Sequence, residues 1–492
     1  MDNKQVALIL VLVLGIGLFL RVWSLGSESI WLDEAVSIRQ SQETWSKGLE
    51  YLERDIHPPL YMALLHIWIR LFGISEAAVR SLSVLFGTAT VLLGFLVARK
   101  LFGQQVALLS ALLLAVSPVL VYYSQEARMY ALFTLTTLLS TFLFLRFLDR
   151  MAVGRSILYI LGTALALYTH YFSVLLLMVH SFFFLVVRHR GRSTITRWLF
   201  IQGVILLLFV PWLPALIRQL RQSLSLVWIQ RPHLSTIYET FSTFLGTVWL
   251  TVLFFLLLVL FIKRAKSREV SKQQAVGFFF LSIGVLLPVL GVFIFSLFFT
   301  PVYNFRYLLF TLPAVLTFFS FLIMKVIQKR MVRGAVIATV SLISLFLVLQ
   351  QGASLEKDDW RSVSRYLRQQ TQPGGRIFID PFYHQHPLAY YYRECFQEED
   401  LFGCNFRKHG IISIDGFHPC CDGTTPVTPM GEGNLFGDWT GGTVWLVSVR
   451  PELYSSGKTL QDYFLERKRV EKVEYFAGGI ILYKFTDRAG TV

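Results

Sequence analysis

Eleven apolar runs, each near the length of a bilayer and parted by short loops that are alternately basic and charge-poor, leave this 492-residue chain few folds to adopt. A helix crosses the hydrocarbon core in about 20 residues. Runs of that kind lie at 5–23, 79–98, 105–123, 130–147, 156–170, 172–187, 196–215, 244–262, 275–299, 306–324 and 334–351. Lipid leaves no solvent for unpaired backbone groups, so these runs predict α-helices. Arg21, Val22 and Trp23, not a small-x-small cleavage site, follow the first run, which predicts a retained helix and not a removed leader. Charged residues are 16% of the chain and hydrophobic ones 54%. A soluble enzyme carries about a quarter charged residues, so that class is excluded.

The net charge of +15 would suit a nucleic acid only if it were gathered on one face. Residues 352–492 hold 16 basic and 18 acidic groups, so the excess lies entirely in residues 1–351, between the apolar runs. No nucleic-acid partner is expected. Five loops carry most of it: Arg99/Lys100; Arg146/Arg150/Arg155; Arg188/Arg190/Arg192/Arg197; Lys263/Arg264/Lys266/Arg268/Lys272; and Lys325/Lys329/Arg330/Arg333. All five obey the positive-inside rule only if a twelfth apolar stretch, Pro58–Phe72, does not cross. It is expected to be an interfacial or re-entrant helix on the outer face. The predicted architecture is then an α-helical polytopic protein of the cell (inner) membrane with about 11 transmembrane helices. Its membrane domain is residues 1–351, with an outer loop 24–78 and a cytoplasmic amino terminus, followed by an extracytoplasmic α/β domain, 352–492. Within that domain the patterns predict a helix over Asp358–Gln370 and strands at Arg376–Asp380, Ile411–Ile414, Thr443–Val449 and Gly479–Phe485. Cys395, Cys404, Cys420 and Cys421 all fall here, as disulfides in an oxidising compartment or as free thiols.

The outer loops collect the ionisable groups. Asp33 and Glu34 follow the first span, and two readings fit them: a helix start that favours acidic residues, or a general base with a cation ligand. Glu126 and Arg128 flank an emerging span beside Tyr123. They are either a local ion pair or a carboxylate ligand and a phosphate-directed arginine. Arg306 opens a span on the side that the positive-inside rule disfavours, where an anionic headgroup is a natural partner. His57, before a double proline, and His170, between two short helices, are open to structural or ligand-binding roles, and Tyr61 and Tyr123 stand near them in sequence. No phosphate-binding Gly-x-x-x-x-Gly-Lys loop and no dinucleotide fingerprint is present. An outward-facing site lacks a nucleotide supply, so an activated donor would be membrane-borne.

Trp31-Leu32-Asp33-Glu34-Ala35, His57-Pro58-Pro59-Leu60-Tyr61, Ser124-Gln125-Glu126-Ala127-Arg128-Met129-Tyr130, Phe305-Arg306-Tyr307 and Asp359-Trp360-Arg361 occur in that order. Together they resemble the bacterial dolichyl-phosphate-mannose–protein mannosyltransferase-like family. That family is related to the lipid A aminoarabinose transferases and shares the GT-C glycosyltransferase fold. The resemblance covers roughly residues 1–190 and 300–370. It implies that Asp33 is the essential acidic residue, with Glu34 its acidic neighbour and Glu126 near a second acidic position where relatives often carry Asp. It implies that His57, Arg128 and Arg306 face the donor phosphate. His170, Tyr123 and Tyr61, in the outer loops beside them, are candidate substrate contacts.

The expected function is an inverting glycosyltransferase that moves a hexosyl or pentosyl group from a polyprenyl-phosphate-linked donor in the bilayer to an acceptor hydroxyl on a protein, lipid or glycan. A divalent cation, Mg or Mn, on Glu126 and Glu34 would polarise the leaving phosphate, and Asp33 would take the acceptor proton. Two other classes compete. A polymerase or ligase using a diphosphate-linked donor shares the outer-face site. A lipid-linked-sugar transporter would favour midplane charges and repeats, and neither is visible.

Overall fold

The computed structural model describes residues 2–187, 192–222, 229–264, 271–353, 357–371, 376–380, 384–391, 411–413, 444–450 and 460–487. The four cysteines lie outside the described residues. The chain divides into two compact units, one of residues 1–25 and 44–353, the other of residues 26–43 and 354–492. Residues 26–43 of the predicted outer loop, with Asp33 and Glu34, thus cluster with the C-terminal unit.

The first unit is helical. α1 (Asn3–Val22) is followed, after residues 26–43, by the short α3 (Trp45–Arg54) and α4 (Leu60–Phe72), α2 (Leu32–Gln42) belonging to the other unit. Then come α5 (Glu76–Phe102), α6 (Gln104–Val116), α7 (Pro118–Ser124), α8 (Tyr130–Asp149), α9 (Val153–Leu167), α10 (Ser173–Val187), α11 (Arg192–Phe209) and α12 (Leu213–Gln222). α13 (Leu234–Leu245), α14 (Val248–Arg264), α15 (Lys272–Phe298), a 3-10 turn (Phe305–Thr311) running into α16 (Leu312–Val326), and α17 (Arg330–Ala353) complete it. Ends are set by local chemistry. Ser75 and Ser271 cap α5 and α15, and Gly103, at φ +90, supplies the left-handed turn between α5 and α6.

Among the described residues seven helices are long and apolar enough to cross a membrane, and the bent pairs α6/α7 and α13/α14 raise that to nine. The predicted spans at 156–170 and 172–187 appear as α9 and α10, 15 residues each. At 1.5 Å per residue each is about 22 Å long, less than the roughly 30 Å core. α4 has 13 residues and is shorter still. Where they are described, four of the basic loops meet at one end of the bundle. Lys100 pairs with Asp149, Gln273 donates to the Lys100 carbonyl at 2.7 Å, Arg155 to the Arg146 carbonyl at 2.8 Å and Arg197 to Ser156 at 3.2 Å. Exposed Leu71, Phe200, Leu207, Trp249, Phe298 and Phe346 give the helices an apolar outer surface, as lipid contact requires.

The second unit holds α2, α18 (Trp360–Gln370), α19 (Gln385–Tyr391), α20 (Leu460–Arg467) and a five-stranded sheet. Its strands are β1 (Arg376–Asp380), β2 (Ile411–Ser413), β3 (Val444–Val449), β4 (Lys468–Phe476) and β5 (Ile480–Asp487), in the order β2-β1-β3-β5-β4. β1 lies parallel to β2 and β3, whereas β5 runs antiparallel to β3 and β4. Phe378, Val444, Leu446, Phe464 and Phe485 form its core. The predicted helix and four strands are present. The sequence reading missed β4, a polar edge strand whose charges dilute the period-two signal.

Candidate functional site

At the end of the bundle opposite the basic loops, the first unit brings together most of the residues singled out in the sequence. His170 lies in the turn between α9 and α10. It is buried and stacks on Phe133 at 4.4 Å, with Tyr307 at 5.5 Å, His57 at 6.2 Å and Tyr130 at 6.4 Å, ring centre to ring centre. The Arg306 guanidinium sits over the Tyr130 ring, 6.0 Å from its centre, a cation–π placement. Tyr123 packs edge-on against Tyr130 at 5.1 Å, within electrostatic reach of Glu126 and Arg306. Tyr61 meets the same wall more deeply: its hydroxyl is 3.3 Å from Ser83 Oγ, which donates to the Arg128 carbonyl at 3.5 Å.

Burial lowers the basicity of His170 far below that of a free imidazole, and the neighbouring His57 and Arg128 lower it further. Its Nδ1 accepts the Phe172 N–H at 3.2 Å, so the neutral ring carries its hydrogen on Nε2. His170 is therefore a hydrogen-bond donor and not a cation. The positive charge of this wall comes from Arg128 and Arg306. The His57 Nδ1 lies 3.1 Å from Asp55 Oδ1, which fixes the ring's orientation.

A polar chain holds the His57 loop. Trp212 donates its indole N–H to the Tyr171 hydroxyl at 2.9 Å, Tyr171 donates to Gln219 Oε1, and the Gln219 amide donates to the carbonyls of Leu52 and His57. Burial pushes the Tyr171 phenol up to about 12, so it stays a donor. Leu52, Met62, Trp212 and Ala215 pack around this chain. The sequence reading passed over Gln219, Tyr171 and Trp212; the one available signal was the amphipathic pattern of α3 and α12, whose apolar faces have to be covered. Arg218 pairs with Glu53 at 2.7 Å on an exposed surface, where an ion pair contributes about 0–1 kcal/mol.

Asp33 and Glu34 occupy the first turn of α2 in the second unit, where acidic side chains favour the helix dipole. Asp33 is half-buried. Glu34 is fully buried, with the Lys357 ammonium 3.4 Å from its Oε2. α2 and the strand of chain before it are tied into this unit by Arg361, which donates to the carbonyls of Gly26, Ser27 and Glu28, and by Tyr391, whose hydroxyl accepts the Ile30 N–H at 2.8 Å.

Among the described residues no group of three or more His, Cys, Asp or Glu side chains comes together, and the Lys357 ammonium lies beside Glu34. Glu126, buried at 1% exposure, stands instead on the turn that carries Arg128.

Residues 56–217 match the family described as dolichyl-phosphate-mannose-protein mannosyltransferase. That segment contains the His-Pro-Pro-Leu-Tyr and Ser-Gln-Glu-Ala-Arg-Met-Tyr motifs, and the resemblance read from them is borne out. The whole chain shares the fold of ArnT from Cupriavidus metallidurans. The apo crystal structure is 14% identical, with a TM-score of 0.61 over 96% of this chain and 97% of that one. The structure bound to undecaprenyl phosphate is 12% identical, with a TM-score of 0.61 over 98% of each chain. An uncharacterised protein of Aquifex aeolicus (strain VF5) is 27% identical over 155 residues, 30% of its length and 30% of this chain.

Proposed function

We propose that this chain, a GT-C membrane protein with a mannosyltransferase-family segment over residues 56–217, is a glycosyltransferase that draws on a polyprenyl-phosphate-linked sugar and works at the outer face of the membrane. One observation carries the reading. A wall of aromatic rings and arginines, with His170 as a neutral donor, forms at one end of a lipid-exposed bundle, opposite the basic loops. Such a wall suits a phosphate whose tail stays in the bilayer. Arginine forks match phosphate oxygens, and aromatic faces suit the sugar attached to them. ArnT, the fold relative, is known bound to undecaprenyl phosphate.

The chemistry is one displacement. The acceptor hydroxyl oxygen attacks the anomeric carbon, the bond from that carbon to the phosphate oxygen breaks, and its electron pair leaves with polyprenyl phosphate. Arg128 and Arg306 stabilise the charge gathering on the leaving phosphate, and the His170 Nε2–H donates to it. Asp33 takes the acceptor proton, a role that rests on the family motif. Attack opposite the leaving group inverts the anomeric centre.

The test is mass spectrometry of lipid extracts from cells lacking the protein and from cells carrying wild type or Asp33→Asn. A polyprenyl monophosphate sugar should accumulate in the deficient and Asp33→Asn cells and disappear with wild type. Clearance by Asp33→Asn overturns the assignment of the base. Accumulation of a diphosphate-linked glycan instead moves the protein to the polymerase class.

A further inference from the structure

Arg21 has no role in the function proposed above, yet it is wholly buried in the last turn of α1. A charged side chain at membrane depth is costly enough to need a reason. Its contacts supply one. Nη1 donates to the Gly17 carbonyl at 2.9 Å and the Ala115 carbonyl at 3.0 Å, Nη2 to the Leu114 carbonyl at 3.1 Å, and Nε to Ser124 Oγ at 3.1 Å. Leu114 and Ala115 end α6 where the span bends by 56° into α7. Their carbonyls are those a continuous helix would bond to residues 118 and 119, but residue 118 is Pro and has no N–H to offer. The guanidinium thus caps the negative end of α6 and, through Ser124, grips the last turn of α7.

The contact is reciprocal. Gln125, the residue after α7, donates its amide to the carbonyls of Leu20, Arg21 and Trp23 at 3.3, 3.2 and 2.7 Å, and so caps α1. The two helices can come this close because residue 87 of α5 is glycine. A Cβ there would lie 1.9 Å from Ser124 Oγ and 2.9 Å from Arg21 Nε. The next residues along the chain are Glu126 and Arg128.

We propose that Arg21, Ser124 and Gln125 form a clamp across the broken span α6/α7 that fixes the direction of the 125–129 turn, and that Arg21 is thereby a positioning residue for Arg128. The first part stands on the geometry alone, and the second rests on the donor-phosphate reading. Lysine cannot replace Arg21, because a single ammonium cannot span three carbonyls and a hydroxyl in a fixed fork.

Hydrogen exchange on the detergent-solubilised full chain tests the clamp, and binding of undecaprenyl phosphate tests its purpose. The variants are Arg21→Lys, Arg21→Met, Ser124→Ala and, as the binding control, Arg128→Gln. Ser124→Ala removes one donor–acceptor pair without a buried charge, so it serves if Arg21→Met fails to fold. Exchange across 118–129 should rise at least tenfold in Arg21→Met and Arg21→Lys, and less in Ser124→Ala, while α16 stays protected. Undecaprenyl phosphate affinity should fall about tenfold in the Arg21 variants, and in Arg128→Gln with no change in exchange. Unaltered exchange in folded Arg21→Met overturns the clamp. Raised exchange with wild-type affinity overturns the positioning role. Undiminished affinity in Arg128→Gln overturns the donor-phosphate reading, and with it the positioning role, but not the clamp, which exchange decides alone.

Discussion

Arg128 and Arg306 show how little a residue's identity says before its surroundings are known. Arg306 lies over the face of Tyr130 and Arg128 acts on His170, whereas Arg218, equally basic and also outside the basic loops, sits in an exposed pair with Glu53. Replacing Arg306 by Gln removes a charge that the proposed mechanism sets against the leaving phosphate. It should raise the donor KM or lower kcat by at least tenfold, about 1.4 kcal/mol or more, in a transfer assay with purified protein. Arg218→Gln should change neither. His170 carries a pH prediction. Its folded-state pKa is depressed, chiefly by burial, while the unfolded imidazole protonates near 6.5. Below that pH the unfolded state binds more protons, so stability falls as pH drops. Melting temperatures between pH 7.5 and 5 should decline more steeply for wild type than for His170→Gln; parallel slopes would exclude this contribution.

At the scale of elements, α3, α4 and α12 carry the site, α12 as the continuation of a span-length helix, Ser193–Arg221. Too short to cross, α4 starts at the double proline, and its first amide is held by the Tyr168 carbonyl at 3.0 Å, which seats the His57 loop against the turn that bears His170. α3 and α12 close over that loop through Leu52, Trp212 and Ala215. Gln219→Leu would leave the buried Leu52 carbonyl without this donor, a loss of about 1–3 kcal/mol. Exchange across 52–57 should rise while α8 stays protected, and donor affinity should fall with it. Of these helices only α4 was read from the sequence, as the apolar stretch Pro58–Phe72. The chain from Trp212 to His57 was not, because its bonds join residues 41 to 167 positions apart and each looks ordinary alone.

For the molecule as a whole, the consequential fact is that residues 26–43 cluster with the C-terminal unit. Lys357 and Glu34 are the buried pair in that arrangement. Removing one partner of such a pair costs about 3–5 kcal/mol, because the other charge remains buried. Lys357→Met should therefore expose residues 26–43 to proteolysis and reduce transfer, and Glu34→Gln in the same chain should restore much of the protection. Deletion of residues 354–492 should abolish transfer even if the helices persist, because Asp33 then loses the unit that supports α2. The same unit buries His384 and His386. Burial lowers His384 to about 3, helped by Arg450, and His386 to about 4, helped by Arg39. By the same linkage, exchange protection of α19 should weaken as pH falls from about 6.5 toward 4.

Local pattern settled a great deal. Apolar run length placed the spans, charge alternation grouped the loops that the structure gathers at one end, and period-two runs located β1, β2, β3 and β5, because hydrophobic periodicity is read within a dozen residues. The motif order pointed to the family, and its acidic and basic residues were all named from sequence. Tertiary structure alone decided which of them meet. His57, His170, Tyr123 and Arg306 share one aromatic wall, whereas Glu34 turns to Lys357. Arg21, legible only as the end of a first span, proved to satisfy carbonyls released by a proline nearly a hundred residues away. The physical reason is common to all three cases. A buried charge or an orphaned carbonyl needs a partner, and which partner comes within 3 Å is a property of packing that no run of sequence contains.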